Sequence, residues 1–392
     1  MTGVQVDGVT WRQIVRHQLA GYLLLFLLLL SACAAPTSGT PVASEEMPTQ
    51  EPTALIDTSS VPVVADSPQP EADEPESSED LPLISAETAP LLAPGLNLQD
   101  GSDFIYDLAF SPDGRQLAVG TTAREVHIWD TASGERIATL NGHTSRVTSV
   151  DYSPDGTLLA TGSQDKTIIL WDTATWTDVH RFEEHENFIG MVAFSPDGRL
   201  LAAGGHPVHV WDVASGELVF TLEGSALTLL DLAFSPDGTW LAAAHGDAEL
   251  DLWSMETGEQ VASFTGESTI SRTAFSTSGL LAGASSSISS ATGEPLGHAL
   301  VWNPLNGETV AASQEKMEVL DVAFSLDESL LIVSVWSENA IQLVRMPGGT
   351  VARALQEHAS PIYAMTLSAD GTLLASSDTS GHIIIWSVPG QP

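Results

Sequence analysis

A five-residue phrase returns at near-constant intervals from residue 101 onward: Phe110-Ser-Pro-Asp-Gly114, Tyr152-Ser-Pro-Asp-Gly156, Phe194-Ser-Pro-Asp-Gly198 and Phe234-Ser-Pro-Asp-Gly238. Worn copies follow as Phe275-Ser-Thr-Ser-Gly279, Phe324-Ser-Leu-Asp-Glu328 and Leu367-Ser-Ala-Asp-Gly371. The serines stand at 111, 153, 195, 235, 276, 325 and 368, so the steps are 42, 42, 40, 41, 49 and 43 residues. A repeat of this length is one supersecondary unit that buries its apolar faces only against its neighbours. The chain must therefore build either propeller blades or stacked helix pairs, and the local pattern chooses between them.

Within the second unit, residues 147–152 alternate apolar and polar, Ser-Pro-Asp-Gly supplies a turn, and 158–162 and 167–171 are two further extended runs. Proline presets the turn and glycine permits its positive φ. A fourth run follows the Trp-Asp ending, as in 136–140 of unit one and 218–222 of unit three. Stretches of ten residues with a 3.6 period and no Gly or Pro are nearly absent, which argues against helices. Four strands per unit and seven units predict an all-β fold, a seven-bladed β-propeller of four-stranded antiparallel blades.

These residues resemble the WD-repeat (WD40) β-propeller family, whose blades carry Gly-His, then Ser-Pro-Asp-Gly, then Asp, then Trp-Asp. Trp129-Asp130, Trp171-Asp172 and Trp211-Asp212 match the ending in full; Trp253-Ser254, Trp302-Asn303 and Trp386-Ser387 keep the Trp, and blade six ends Leu343-Val344-Arg345. The resemblance covers about residues 92–388 and implies a rigid platform for protein partners. It also implies a buried His, Ser/Thr, Asp and Trp hydrogen-bond network, which the sequence shows complete only in blade two, as His143, Thr161, Asp165 and Trp171. Its histidines are then structural.

Blade seven runs out after its third strand at Trp386, and aligning Phe110 with Tyr152 puts Leu96-Asn97-Leu98 where 138–140 makes an outer strand. Residues 92–99 are therefore expected to supply the fourth strand of blade seven, pairing edges that would otherwise invite other chains. The propeller is assigned to residues 92–392.

Ahead of it, residues 1–32 read as a lipoprotein signal peptide: Arg12 and Arg16, then a run from Leu19 to Leu30 with eight leucines, then small residues. Leu30-Ser31-Ala32-Cys33 is similar to the bacterial lipobox, which implies that Cys33 is lipidated and holds the protein on a membrane. Residues 33–91 read as an acidic, Pro-rich, disordered tether. Residues 34–100 hold 13 acidic residues and no Lys or Arg, and 34–94 hold 11 of the 22 prolines. As a flexible chain, 34–90 would span about 40 Å, stretched further by its like charges. The expected location is exported and lipid-anchored, on the cell membrane or outer membrane, facing the periplasm or the exterior.

Charge excludes one partner class. With 51 acidic against 13 basic residues and a net charge of -38, the chain cannot offer the clustered cations that nucleic acid requires. A single cysteine excludes intramolecular disulfides and Cys-based metal sites. The sequence contains no Gly-x-Ser-x-Gly, phosphate loop, dinucleotide loop or His-Glu-x-x-His. No cofactor is expected, and the chain reads as a non-enzyme.

Two candidate sites remain. Inner-strand aspartates Asp107, Asp231 and Asp321 share one register position, with Arg272 there in blade five. They are read as satisfying neighbouring amides; a channel cation, and with it a metal-dependent hydrolase or lactonase or a small-ligand sensor, is the alternative. The favoured site is the rim six residues before each blade landmark. It places Phe104, Arg146 and Phe188 side by side on blades one to three, with Gln164 and Trp336 on nearby turns. Aromatic residues and arginine dominate binding hot spots, so these five are the expected protein-partner contacts.

Overall fold

The computed structural model describes residues 81–390 apart from 100, 102, 103, 184, 225–227, 247, 267, 287–296 and 314–316. The expected signal peptide, Cys33 and most of the tether lie outside the described residues, as does most of the 285–298 insertion that lengthens the fifth step.

Among the described residues the strands form seven four-stranded antiparallel sheets. Blade one is Ile105–Phe110, Gln116–Thr121, Glu125–Asp130 and Arg136–Asn141; blades two to six follow over 147–182, 191–222, 229–265, 270–312 and 319–355. Blade seven takes Ile362–Leu367, Leu373–Asp378 and His382–Ser387 from the end of the chain and Ala93–Gln99 from its beginning. The closing strand runs antiparallel to His382–Ser387, from Ala93 opposite Ser387 to Gln99 opposite His382. The innermost strands touch in succession, and that of blade seven meets that of blade one, so the ring is closed.

Burial follows from this arrangement. Second strands are sandwiched between neighbouring sheets and read as continuous apolar runs, as in Leu330–Val335, buried at every position. Outer strands face solvent and alternate, as in Arg136–Asn141, where only Leu140 is buried. The core sits between blades: Val126 and Ile128 of blade one pack with Val150, Leu159 and Trp171 of blade two.

The repeated phrase closes each inner hairpin by the same bonds. In blade one the Ser111 hydroxyl donates to Asp113 Oδ1 at 2.6 Å and accepts the Gln116 amide at 2.9 Å, while Gly114 adopts φ +69°. The Ser-to-Asp bond recurs at 153–155, 195–197, 235–237, 325–327 and 368–370. Blade five lacks the aspartate, and blade six supplies a substitute. Glu328 stands where the phrase has glycine, at φ +58°, and its carboxylate accepts from Thr277 Oγ1 at 2.6 Å, Ser278 Oγ at 2.8 Å and the Ser278 amide. A strained residue in one worn copy thus completes the turn of the other.

The expected tether runs to residue 91, whereas residues 81–91 are packed against blades six and seven. Ile84, Ala89 and Leu92 are fully buried in a cluster with Leu343, Leu355, Leu374 and Trp386. The Ile84 amide donates to the Gly371 carbonyl at 2.9 Å, and the Arg353 guanidinium donates to the Pro90 carbonyl at 2.8 Å. This segment contains Pro82, Glu87 and Pro90 like the rest of the stretch, but Leu81, Ile84, Ala89 and Leu92 give it enough apolar surface to pack, while Leu91 stays exposed.

Candidate functional site

Blade two contains the expected network. Trp171 Nε1 donates to Thr161 Oγ1 at 2.9 Å, and Thr161 Oγ1 lies 2.8 Å from His143 Nε2. The ionised Asp165 carboxylate can only accept, so the Nδ1–H of His143 donates to Asp165 Oδ2 at 3.1 Å, and in that tautomer Nε2 accepts the threonine proton. Burial alone would raise the Asp165 carboxyl, but hydrogen bonds from His143, Thr167 and the Thr144 amide hold it well below the usual carboxylate range.

A second complete network stands in blade seven and corrects the expectation that only blade two has one. Trp386 Nε1 donates to Ser376 Oγ at 2.9 Å, Ser376 Oγ is 2.8 Å from His358 Nε2, and His358 Nδ1 is 3.0 Å from Asp378 Oδ2. The sequence position equivalent to Asp165 is Ser380. The aspartate comes two residues earlier, at the end of the second strand, and reaches the same histidine nitrogen from there. Other blades use partial versions. In blade four, where Ser225 and Asp247 lie outside the described residues, His245 Nε2 is 3.4 Å from Asp251 Oδ2. In blade three His185 stacks on His209 at 4.6 Å beside Trp211. Desolvation, with the neighbouring His209, pushes the His185 imidazole down to about 3, so its ring is neutral.

The channel aspartates bind blade to blade. Asp107 Oδ2 accepts from Ser149 Oγ at 2.8 Å and the Val150 amide at 3.0 Å; Asp231 Oδ2 accepts the Thr273 amide at 2.6 Å; Asp321 Oδ2 accepts the Met365 amide at 2.7 Å. Each donor amide belongs to the inner strand of the next blade. Asp151 does the same for the Phe194 amide at 2.7 Å. Burial raises all four carboxyls, Asp231 and Asp151 to about 7 and Asp321 to about 6.

Arg272 is the counter-ion. Its guanidinium donates to the Leu230 carbonyl at 3.0 Å and, across the ring, to the Tyr106 carbonyl of blade one at 3.4 Å. It lies 3.9 Å from Asp231 Oδ1 and over the Tyr363 ring at 5.9 Å. These lone pairs and donors are engaged with one another and with backbone, which makes the channel a structural axle.

On the rim, the structure brings some of the expected contacts together. The Phe104 ring lies 4.9 Å from Tyr106 and 4.7 Å from Tyr363, and Arg146 Nη1 donates to the Tyr106 hydroxyl at 3.1 Å. The Gln164 backbone N–H donates to the Arg146 carbonyl at 3.0 Å, so Gln164 adjoins the same group. Phe188 and Trp336, both half-buried, stand on blades three and six outside it. Sequence reasoning missed Tyr106 and Tyr363. Both sit four residues before their blade landmarks, a register position that aligning the blades would have exposed.

Comparison with known proteins agrees with this geometry. The family model described as WD domain, G-beta repeat matches residues 96–130, 134–172, 176–212 and 349–387, and that of the anaphase-promoting complex subunit 4 WD40 domain matches 214–278. Similar curated proteins include a ciliary WD repeat-containing protein of Euplotoides octocarinatus, 39% identical over 14% of this chain and 8% of its own length. A probable serine/threonine-protein kinase of Thermomonospora curvata is 50% identical over 10% of this chain and 5% of its own length. Cell division cycle 20.1, cofactor of APC complex, of Arabidopsis thaliana is 45% identical over 12% and 10%. The chain spans a tenth or less of the length of each of these relatives.

Proposed function

This chain belongs to the WD-repeat β-propeller family, and we propose that it is a membrane-anchored, extracytoplasmic, non-enzymatic scaffold that captures protein partners on one rim of the ring. The carrying observation is the group Phe104, Tyr106, Tyr363 and Arg146, which joins blades seven, one and two at the starts of their inner strands and the loops just before them. Three aromatic rings and a guanidinium held in fixed positions lose little entropy when a partner covers them, which is the chemistry of a binding hot spot. Gln164 extends this surface, and Phe188 and Trp336 are proposed as flanking contacts.

The anchoring rests on Leu30-Ser31-Ala32-Cys33 behind its leucine run, and the acidic stretch after it would hold the propeller clear of the bilayer. A channel hydrolase is disfavoured because the aspartates it would use already accept backbone amides of the next blade.

Two experiments test the proposal. Crosslinking in the native envelope should capture specific proteins with the wild-type chain and lose them with Phe104, Arg146 and Phe188 changed together to Ala, the circular dichroism remaining unchanged. Retained capture rejects the rim. Metabolic labelling with a fatty acid should mark the wild type and not Cys33→Ser; equal labelling, or none in either, rejects the anchor.

A further inference from the structure

Blade seven differs from blade two at one position of its network. Four residues before the blade tryptophan, blade two has Thr167 and blade seven has His382. Thr167 Oγ1 donates to Asp165 Oδ1 at 2.7 Å and lies 3.3 Å from His143 Nδ1. The imidazole in its place brings a second ring nitrogen to the aspartate: His382 Nδ1 is 3.9 Å from Asp378 Oδ2, and His358 Nδ1 is 3.0 Å from the same oxygen. One ligand atom from each of His358, Asp378 and His382 lies within 4.8 Å of the other two.

We propose that His358 Nδ1, Asp378 Oδ2 and His382 Nδ1 form a binding site for one divalent ion of the zinc class. Tetrahedral ligands at about 2.0–2.1 Å from zinc stand roughly 3.3 Å apart, close to the 3.0 and 3.9 Å from Asp378 Oδ2 to the two imidazoles, and the two ring nitrogens, within 4.8 Å of each other, close on an ion by turning the partly exposed His382 side chain. Nitrogen and carboxylate donors in this number suit a borderline metal, whereas calcium and magnesium take more oxygens.

The surrounding bonds support the ligands. Ser376 Oγ, 2.8 Å from His358 Nε2, accepts that proton when Nδ1 turns to the metal, and Asp378 Oδ1 accepts from Ser380 Oγ at 2.6 Å and the Ser380 amide at 2.9 Å. His358 and Asp378 are buried, while the His382 side chain is 21% exposed, which leaves a fourth position open to water at the loop face. On binding, the singly protonated His358 ring shifts its proton from Nδ1 to Nε2 by exchange with solvent, so no net proton leaves that ring and no electron is exchanged.

The consequence is structural as well as chemical. His358 precedes the inner strand of blade seven, and Asp378 and His382 flank the turn between its second and third strands. An ion would therefore pin the blade whose outer strand comes from the far end of the chain. Ligand binding to the folded state alone raises its stability.

The test uses the full chain, freed of metal with a chelator, and Zn2+ alone as probe. Calorimetric titration, metal content after desalting and thermal melting are compared with His382→Thr, which gives blade seven the residue blade two carries. His206→Ala controls for surface histidines. The wild type and His206→Ala should each hold one more tightly bound Zn2+ per chain than His382→Thr and melt several degrees higher with Zn2+. Should His382→Thr melt low without metal, His382→Gln replaces it. Equal zinc content in wild type and variants, or no tight zinc in the wild type, overturns the proposal.

Discussion

Replacing Arg272 with Met should destabilise the propeller strongly at pH 8 and weakly at pH 5. The guanidinium is only 13% exposed, donates to carbonyls of blades four and one, and is the cation that acts on Asp107, Asp231 and Asp321. Removing one partner of a buried charge group leaves the rest uncompensated, at a cost of about 3–5 kcal/mol. That cost exists only while the carboxylates are ionised. Their folded values are raised by burial, to about 7 for Asp231 and about 6 for Asp321, above the ordinary value of 3.8. Folding therefore takes up protons: the stability these groups contribute is full below the unfolded value of 3.8 and is lost as pH rises through their folded values. Without Arg272 those values move higher, so at pH 5 the carboxyls are neutral and only the carbonyl bonds and packing are missed, about 2 kcal/mol. The assay is urea unfolding followed by tryptophan fluorescence at both pH values, with the slope m checked for constancy. A loss of the same size at pH 5 and pH 8 would refute the assignment of Arg272 as counter-ion of the channel.

Three further outcomes follow from the geometry. Deleting residues 34–80 should leave the melting temperature unchanged, whereas deleting 34–99 removes buried Ile84, Leu92 and Leu98, about 6 kcal/mol of apolar burial, and exposes the edge of His382–Ser387; matching melts would contradict the closure. Thr161→Val in blade two strands the Trp171 indole N–H and His143 Nε2, and Ser376→Ala does the same to Trp386 and His358. Each should cost about 2–4 kcal/mol in urea unfolding, with Thr161→Ser near neutral. His185 is neutral in the fold, with its imidazole pushed down to about 3, so its contribution is present above the unfolded value of 6.5 and lost as pH falls toward 3. His185→Leu should then recover about 2 kcal/mol at pH 5 relative to pH 7, and an unchanged acid limb in the melting profile would speak against this.

The blade count, the strand order within blades and the closing strand were legible because each rests on local chemistry repeated seven times. Ser-Pro-Asp-Gly turns a hairpin wherever it occurs, and Leu96-Asn97-Leu98 could be placed on blade seven by register alone. The blade-two network was legible for the same reason, its four residues standing at the family's spacings. Blade seven's was not, because Asp378 reaches His358 from the second strand and no fixed spacing encodes that reach.

What the order of residues settled is thus everything periodic: hairpins, burial alternation and the number of modules, since those depend on contacts a few residues long. Contacts between distant segments were decided only when the ring formed. Arg272 meets Tyr106 from 166 positions away, Phe104 meets Tyr363 across the seam, and Ile84 finds blades six and seven. The His358, Asp378 and His382 atoms likewise converge only once their loops are set side by side. A one-dimensional pattern specifies which faces must be buried, but the closing of the circle selects which side chains share a point in space.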